Sequence, residues 1–156
     1  MKIRNMTIGD YEAVYSLWIH SPGMSLNDQD DSRQGIEKYL ARNPGTCFVA
    51  EEEGRILGVI LGGHDGRRGY IHHAAVAPPY RRRGIGKALL DTALGALKGE
   101  GIQKTALVVF ADNAAGNAFW EKNGFAARNE LIYRNKRMDE TKNIGAEGPD
   151  LEGKRI

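Results

Sequence analysis

Arg81, Arg82 and Arg83, followed by Gly84, Ile85, Gly86 and Lys87, form the segment of this 156-residue chain whose residue types most clearly suggest chemistry. A strand-like run precedes it, Pro78 and Pro79 stop that run, and a helical pattern follows with two glycines in its first turn. Glycine costs a helix about 1 kcal/mol per residue relative to alanine, so a pair of them calls for a compensating reason. A helix N-terminus presents unpaired N–H groups and the positive end of the dipole. Without Cβ atoms at Gly84 and Gly86, a bulky anion can approach those amides closely. The arginines add planar donors matched to phosphate. Together these residues predict a pyrophosphate site; the alternative is a solvated basic turn leading into a packed helix.

Spacing excludes two familiar phosphate motifs. A P-loop needs glycine five residues before the Gly-Lys pair and a hydroxyl residue after it, and those places hold Arg81 and Ala88. A dinucleotide fingerprint needs a third small residue where this chain has Leu89. The histidines lack the cysteine or carboxylate spacing of a metal centre, so no metal is expected.

Several elements must position this turn. Residues 2–6 read as a first strand, and Thr7 with Asp10 marks a helix start. Tyr11, Val14, Tyr15 and Trp18 recur at helical spacing until Ser21, Pro22 and Gly23 break the pattern. After an acidic loop, Ser32 caps a second helix burying Ile36, Tyr39 and Leu40. Strands are expected at 46–52, 55–62 and 70–76, with a glycine-punctuated hairpin at 64–69. A helix runs from Gly84 to Gly99 or Gly101, and 105–110 is apolar enough for a strand covered on both faces. Asn113 caps a last helix, Gly124 ends it, and 125–137 supply the final strands. The domain is therefore expected over 1–137, with a polar, disordered tail over 138–156. The order of elements predicts a mixed α/β fold with one main sheet.

Composition agrees with one soluble domain: 41% of residues are hydrophobic and 27% charged. No apolar run nears the ~20 residues of a membrane span, so no membrane partner is expected. Lysine and arginine total 22 against 20 acidic residues, a net charge of +2, which argues against general nucleic-acid binding. The first residues lack the features of a signal peptide, and one cysteine, Cys47, cannot form an internal disulfide. Both observations point to the cytoplasm.

Arg81-x-x-Gly84-x-Gly86 after a strand resembles the acetyl-coenzyme A signature of the GNAT superfamily of N-acetyltransferases. Val76 and Pro78 sit where such proteins end their fourth strand, and Asn113, Asn117, Phe119, Trp120, Gly124 and Phe125 resemble their second motif. The resemblance covers 1 to about 137. It implies an α+β fold with one mostly antiparallel sheet, splayed between its fourth and fifth strands and flanked by about four helices. It also implies that the backbone of Ala75 and Val76 pairs with the pantetheine arm of acetyl-CoA. Residues 81–87 would hold the pyrophosphate, Asn113 and Phe119 would line the far wall, and Asn117 and Trp120 would also bind the cofactor. A homodimer is common among such proteins.

Acetyl transfer to an amine requires loss of an amine proton and departure of a thiolate. Trp120 occupies the place where many such enzymes carry an acidic tyrosine, and Tyr133 is the candidate substitute. For the base, His72 and His73 lie on the strand beside the expected cleft. Strand alternation predicts that only one of them faces the acceptor. Glu51 and Glu52 are carboxylate alternatives on a neighbouring strand. His64 and Asp65 in the hairpin could reach a small-molecule or peptide amine, or could stabilise the turn. Asp28, Asp30 and Asp31 could attract a cationic amine, or could cap the second helix. The expected activity is acetyl transfer from acetyl-CoA to a primary amine within a ternary complex. The alternative is an acyl-CoA-binding regulatory domain without turnover.

Overall fold

A computed structural model describes residues 1–144. Five strands form one sheet in the order β1-β3-β4-β5-β6: β1 (Lys2–Asn5), β3 (Cys47–Glu52), β4 (Arg55–His64), β5 (Gly69–Val76) and β6 (Thr105–Ala106). All neighbours are antiparallel except β5 and β6, which are parallel. A two-residue β2 (Leu26–Asn27) lies outside this sheet. The fourth and fifth strands of the sequence reading are thus β5 and β6.

Strand alternation sends Cys47, Val49, Val59 and Leu61 to one face and Phe48, Ala50 and Ile60 to the other. On the first face they meet Val14 and Trp18 of α1 (Tyr11–Ile19) and Ile36 of α2 (Arg33–Arg42). On the second they meet Ile85, Leu89, Leu90, Ala93 and Leu97 of α3 (Ile85–Gly99). With both faces covered, the central strands read as nearly continuous apolar runs. A 3-10 turn, Ile8–Asp10, precedes α1, and the Asp10 carboxylate accepts the Thr7 N–H at 2.8 Å. Ser32 caps α2 as expected, its hydroxyl oxygen accepting the Gly35 N–H at 3.0 Å.

The helices end as their glycines predict. Asn123 closes α4 (Ala114–Lys122), and Gly124 follows at φ +87°. The Phe125 N–H then reaches back to the Trp120 carbonyl and the Gly124 N–H to that of Glu121. The Trp120 and Phe125 rings pack 5.3 Å apart, completing a Schellman motif. Gly101 and Ile102 end α3 in the same way on the Lys98 and Leu97 carbonyls.

The C-terminal third departs from expectation. Only Thr105 and Ala106 pair with β5, at Gly69 and Tyr70, and Val108 is 56% exposed rather than covered on both faces. The final strands expected over 125–137 do not form, and Leu131, Ile132 and Tyr133 are exposed. A strand needs a neighbouring ladder, and two residues of β6 offer almost none.

The tail expected to be disordered from 138 is instead tied down at 142–144. β7 (Asn143–Ile144) pairs antiparallel with β2, and Ile144 packs against the α1–α2 core. Asp28 N–H donates to the Lys142 carbonyl, and Lys142 N–H donates to the Asp28 carboxylate. Residues 145–156 of that expected tail lie outside the described residues.

Candidate active site

The parting of β5 and β6 creates the cleft. β5 is paired with β4 through Val76, but its opposite edge has β6 only at Gly69 and Tyr70. From Ile71 to Val76 that second edge has no strand beside it among the described residues. Gly69 sets where the strands meet, because a Cβ there would sit 2.5 Å from Thr105 Oγ1.

The free edge leads into the basic turn. Pro78–Tyr80 form a 3-10 turn, Arg82 takes a left-handed φ of +65°, and Gly84 follows at +79°. A left-handed non-glycine residue is uncommon, and at Arg82 it reverses the chain so that α3 begins beside Val76. The first hydrogen bond of α3 runs from Ala88 N–H to the Gly84 carbonyl at 3.0 Å. The amides of Ile85, Gly86 and Lys87 therefore leave the helix end without an acceptor inside it. Open space lies where a Gly84 Cβ would be, and a Gly86 Cβ would sit 3.4 Å from the Phe119 ring. Bare backbone at a helix start, with an aromatic ring as one wall, has the chemistry to receive an anion.

The cations of the turn differ in freedom. The Arg81 side chain folds back to donate from Nε to the Val76 carbonyl at 3.0 Å, and its amide is taken by Pro78. Arg83 lies over the Tyr80 ring and 3.6 Å from Glu52, and Lys87 pairs with Asp91. Among the described residues, Arg82 alone of these four has no partner. Across the cleft, Phe119 and Trp120 stack edge to face at 5.0 Å. Asn113 and Asn117 are committed to the start of α4, Asn113 Oδ1 accepting the Gly116 N–H and Asn117 Nδ2 donating to the Phe110 carbonyl.

The histidines contradict simple strand alternation. Leu61 faces His73 and Gly62 faces Ile71, so His72 is the extra residue of a β-bulge. The bulge turns both imidazoles towards the α1–α2 face. His73 lies edge-on to Trp18 of α1, and its Nε2 is 2.7 Å from Asp31 Oδ1. His72 sits between the rings of Tyr39 from α2, at 5.4 Å, and Tyr70, at 4.6 Å. One side of His72 stays open, yet the surrounding rings desolvate its charged form and lower its pKa. His73 reinforces the shift, while Asp30 and Asp31 oppose it.

This shift has a sign that can be measured. The folded state disfavours protonated His72, so its contribution to stability is complete above the ordinary value of 6.5. It is lost as pH falls through 6.5 towards the lower folded-state value. Urea titrations from about pH 8 to about pH 5 are expected to show declining stability, and the decline should be shallower in His72→Gln.

Other sequence candidates lie elsewhere. Glu51 is held by Arg4 Nε at 2.7 Å, on a strand separated from β5 by β4, and so does not reach the cleft. His64 pairs with Glu100 and accepts the Gly66 N–H through Nδ1. Asp65 accepts the Arg67 and Arg68 amides, which hold its carboxyl below the usual range. Both stand at the closed end of β5, opposite Gly69, and stabilise the hairpin. Asp28 clamps Lys142. Tyr133 is exposed and on no strand, though close enough to Tyr70 to influence its titration. The sequence reading missed the convergence of Asp31, Trp18, Tyr39 and Tyr70 on the histidines; no local spacing signals contacts across such separations.

The site is thus a strand edge left open beside a helix start with unpaired amides, next to a face that carries two histidines. The chain belongs to the Acetyltransferase (GNAT) family, whose model matches residues 11–125, and it is an acyltransferase. Relatives include an acetyltransferase of Sodalis glossinidius, 34% identical over 140 residues, covering 90% of this chain and 97% of the relative. An acetyltransferase of Pectobacterium atrosepticum is 37% identical over 122 residues, covering 78% and 85%. Among solved structures, Ard1 from Thermoplasma volcanium superposes with a TM-score of 0.71 at 26% identity, covering 79% of this chain and 80% of that one. The PaiA N-acetyltransferase from Thermoplasma acidophilum, solved with coenzyme A, gives 0.69 at 22% identity, covering 79% and 87%.

Proposed function

We propose that this chain moves the acetyl group of acetyl-CoA directly to a primary amine of a small molecule or peptide, within a ternary complex. One observation carries the reading: the free edge of β5 runs from Ile71 to Val76 straight into the unpaired amides at the start of α3. A strand edge can pair with an amide-bearing pantetheine arm, and the helix start can hold a pyrophosphate. Ala75 and Val76 would serve the arm, residues 82–87 the phosphates, and Phe119 with Trp120 the opposite wall. The thioester supplies an activated acetyl group with a tolerable thiolate leaving group.

Direct transfer fits the chain's single thiol. Cys47 is buried, donates to the Gly62 carbonyl, and has its pKa pushed up to about 12 by burial, all unfavourable for a covalent acyl-enzyme. His72 and His73 share the acceptor side, and either could take the amine proton. Trp120 packs between Phe119 and Phe125 and offers no acidic hydroxyl, so the thiolate would leave without a tyrosine donor there.

Calorimetric titration with acetyl-CoA, followed by thiol release in the presence of spermidine, lysine, kanamycin and a peptide with a free N-terminus, tests this reading. Saturable binding with amine-dependent thiol release is expected. Binding without release on any amine would identify an acyl-CoA-binding regulatory domain instead.

A further inference from the structure

We propose that Asp31 is a positioning residue that fixes His73 with Nδ1 as its proton-accepting atom; this assignment rests on the acetyltransferase reading above. Asp31 is 5% exposed, and both its carboxylate oxygens are engaged. Oδ1 lies 2.7 Å from His73 Nε2, and Oδ2 accepts the Asn27 N–H at 2.8 Å. The Asp31 carbonyl accepts the Tyr11 hydroxyl at 2.8 Å, which fixes the residue's backbone as well. A carboxylate only accepts hydrogen bonds, so the hydrogen in the contact belongs to His73 Nε2, and Nδ1 of the neutral ring carries the lone pair.

That second nitrogen is available. Nδ1 has no protein partner among the described residues. The His73 side chain keeps 13% of its surface exposed, whereas the buried polar atoms without a partner among the described residues are Trp18 Nε1 and the Tyr39 hydroxyl. His73 stands two residues before Ala75, on the strand whose free edge borders the cleft. Trp18 packs edge-on at 4.9 Å and restrains the ring. A buried carboxylate that sets the tautomer and orientation of an imidazole is the device by which serine hydrolases prepare their base.

In the step this arrangement serves, the amine nitrogen forms a bond to the acetyl carbonyl carbon. The carbon–sulfur bond breaks, and sulfur departs with the electron pair. The proton lost by the amine goes to His73 Nδ1 and from there to solvent. Asp31 neither gains nor loses a proton.

Asp31→Asn separates positioning from packing, because an amide has one oxygen where the carboxylate has two. With that oxygen kept on the Asn27 N–H, the NH2 group faces His73 Nε2 and drives the imidazole to the opposite tautomer. Long-range proton–nitrogen spectra are expected to show the Nε2–H form in the wild type and the Nδ1–H form in Asp31→Asn. With the best acceptor among spermidine, lysine, kanamycin and the peptide, kcat is expected to fall about 100-fold while the KM for acetyl-CoA stays within twofold. Unchanged kcat in Asp31→Asn overturns the proposal. An Nδ1–H form in the wild type also overturns it, whether or not the variant folds. Absence of turnover in the wild type itself overturns the acetyl-transfer reading and this role with it, and is told apart by the wild-type assay.

Discussion

Replacing Gly86 with tryptophan is expected to weaken acetyl-CoA binding by at least about 100-fold, or about 2.7 kcal/mol, while the domain stays folded. The Cβ position of Gly86 lies 3.4 Å from Phe119 Cε2 and 3.7 Å from Val76 Cγ2, which is ordinary contact distance. Gly86→Ala therefore fits and should bind within a fewfold of the wild type. An indole does not fit between Phe119 and Val76. It must displace the wall ring or project over the amides of Ile85 and Lys87, and either outcome occupies the space the phosphates need. The buried side of α3 is carried by Ile85, Leu89, Leu90, Ala93 and Leu97, none of which the substitution touches. Calorimetry with acetyl-CoA and a thermal melt check the two halves of the statement. Wild-type affinity in a folded Gly86→Trp protein would remove the cofactor site from this turn.

The second large effect is on stability. Trp18→Ala is expected to cost about 3–5 kcal/mol, a large share of the 5–15 kcal/mol typical of a domain. Trp18 is 1% exposed and packs with Val14, Ile36 and the sheet face carrying Val49 and Val59. Its removal leaves a cavity at the junction of α1, α2 and β5. Trp18→Phe should cost distinctly less than its lost volume suggests. Among the described residues Trp18 Nε1 is a buried donor without a partner, and phenylalanine removes that unmet donor along with the atoms. Urea midpoints at constant m-value read both variants. A Trp18→Ala loss below about 1 kcal/mol would mean that this side of the core is not packed as described.

Much of this fold is legible in local sequence because local chemistry determines it. Ser32, Gly101 and Gly124 mark helix ends whose hydrogen bonds form within a few residues. The turn over residues 81–87 is legible for the same reason: bare backbone, arginines and a helix start stand next to one another in the chain. The acceptor side is less legible. Whether His72 and His73 face together depends on a bulge opposite Leu61 and Gly62, and alternation alone gave the wrong answer. Asp31 resembles a helix-capping acid until the fold brings it to His73, 42 residues along the chain. The apolar residues over 105–110 and 125–137 have strand-like composition, but composition does not supply the neighbouring edge that a strand requires.

The pairing of β2 with β7 joins Asp28 to Lys142, 114 positions further on. The loop that bears Asp31 thus gains its last contacts from a segment beyond α4, whereas the basic turn is built from residues next to one another in the chain. A clasp of only two residues also opens more cheaply than the central sheet. Local opening is therefore expected first where β2 meets β7, before the strands that lead into the basic turn.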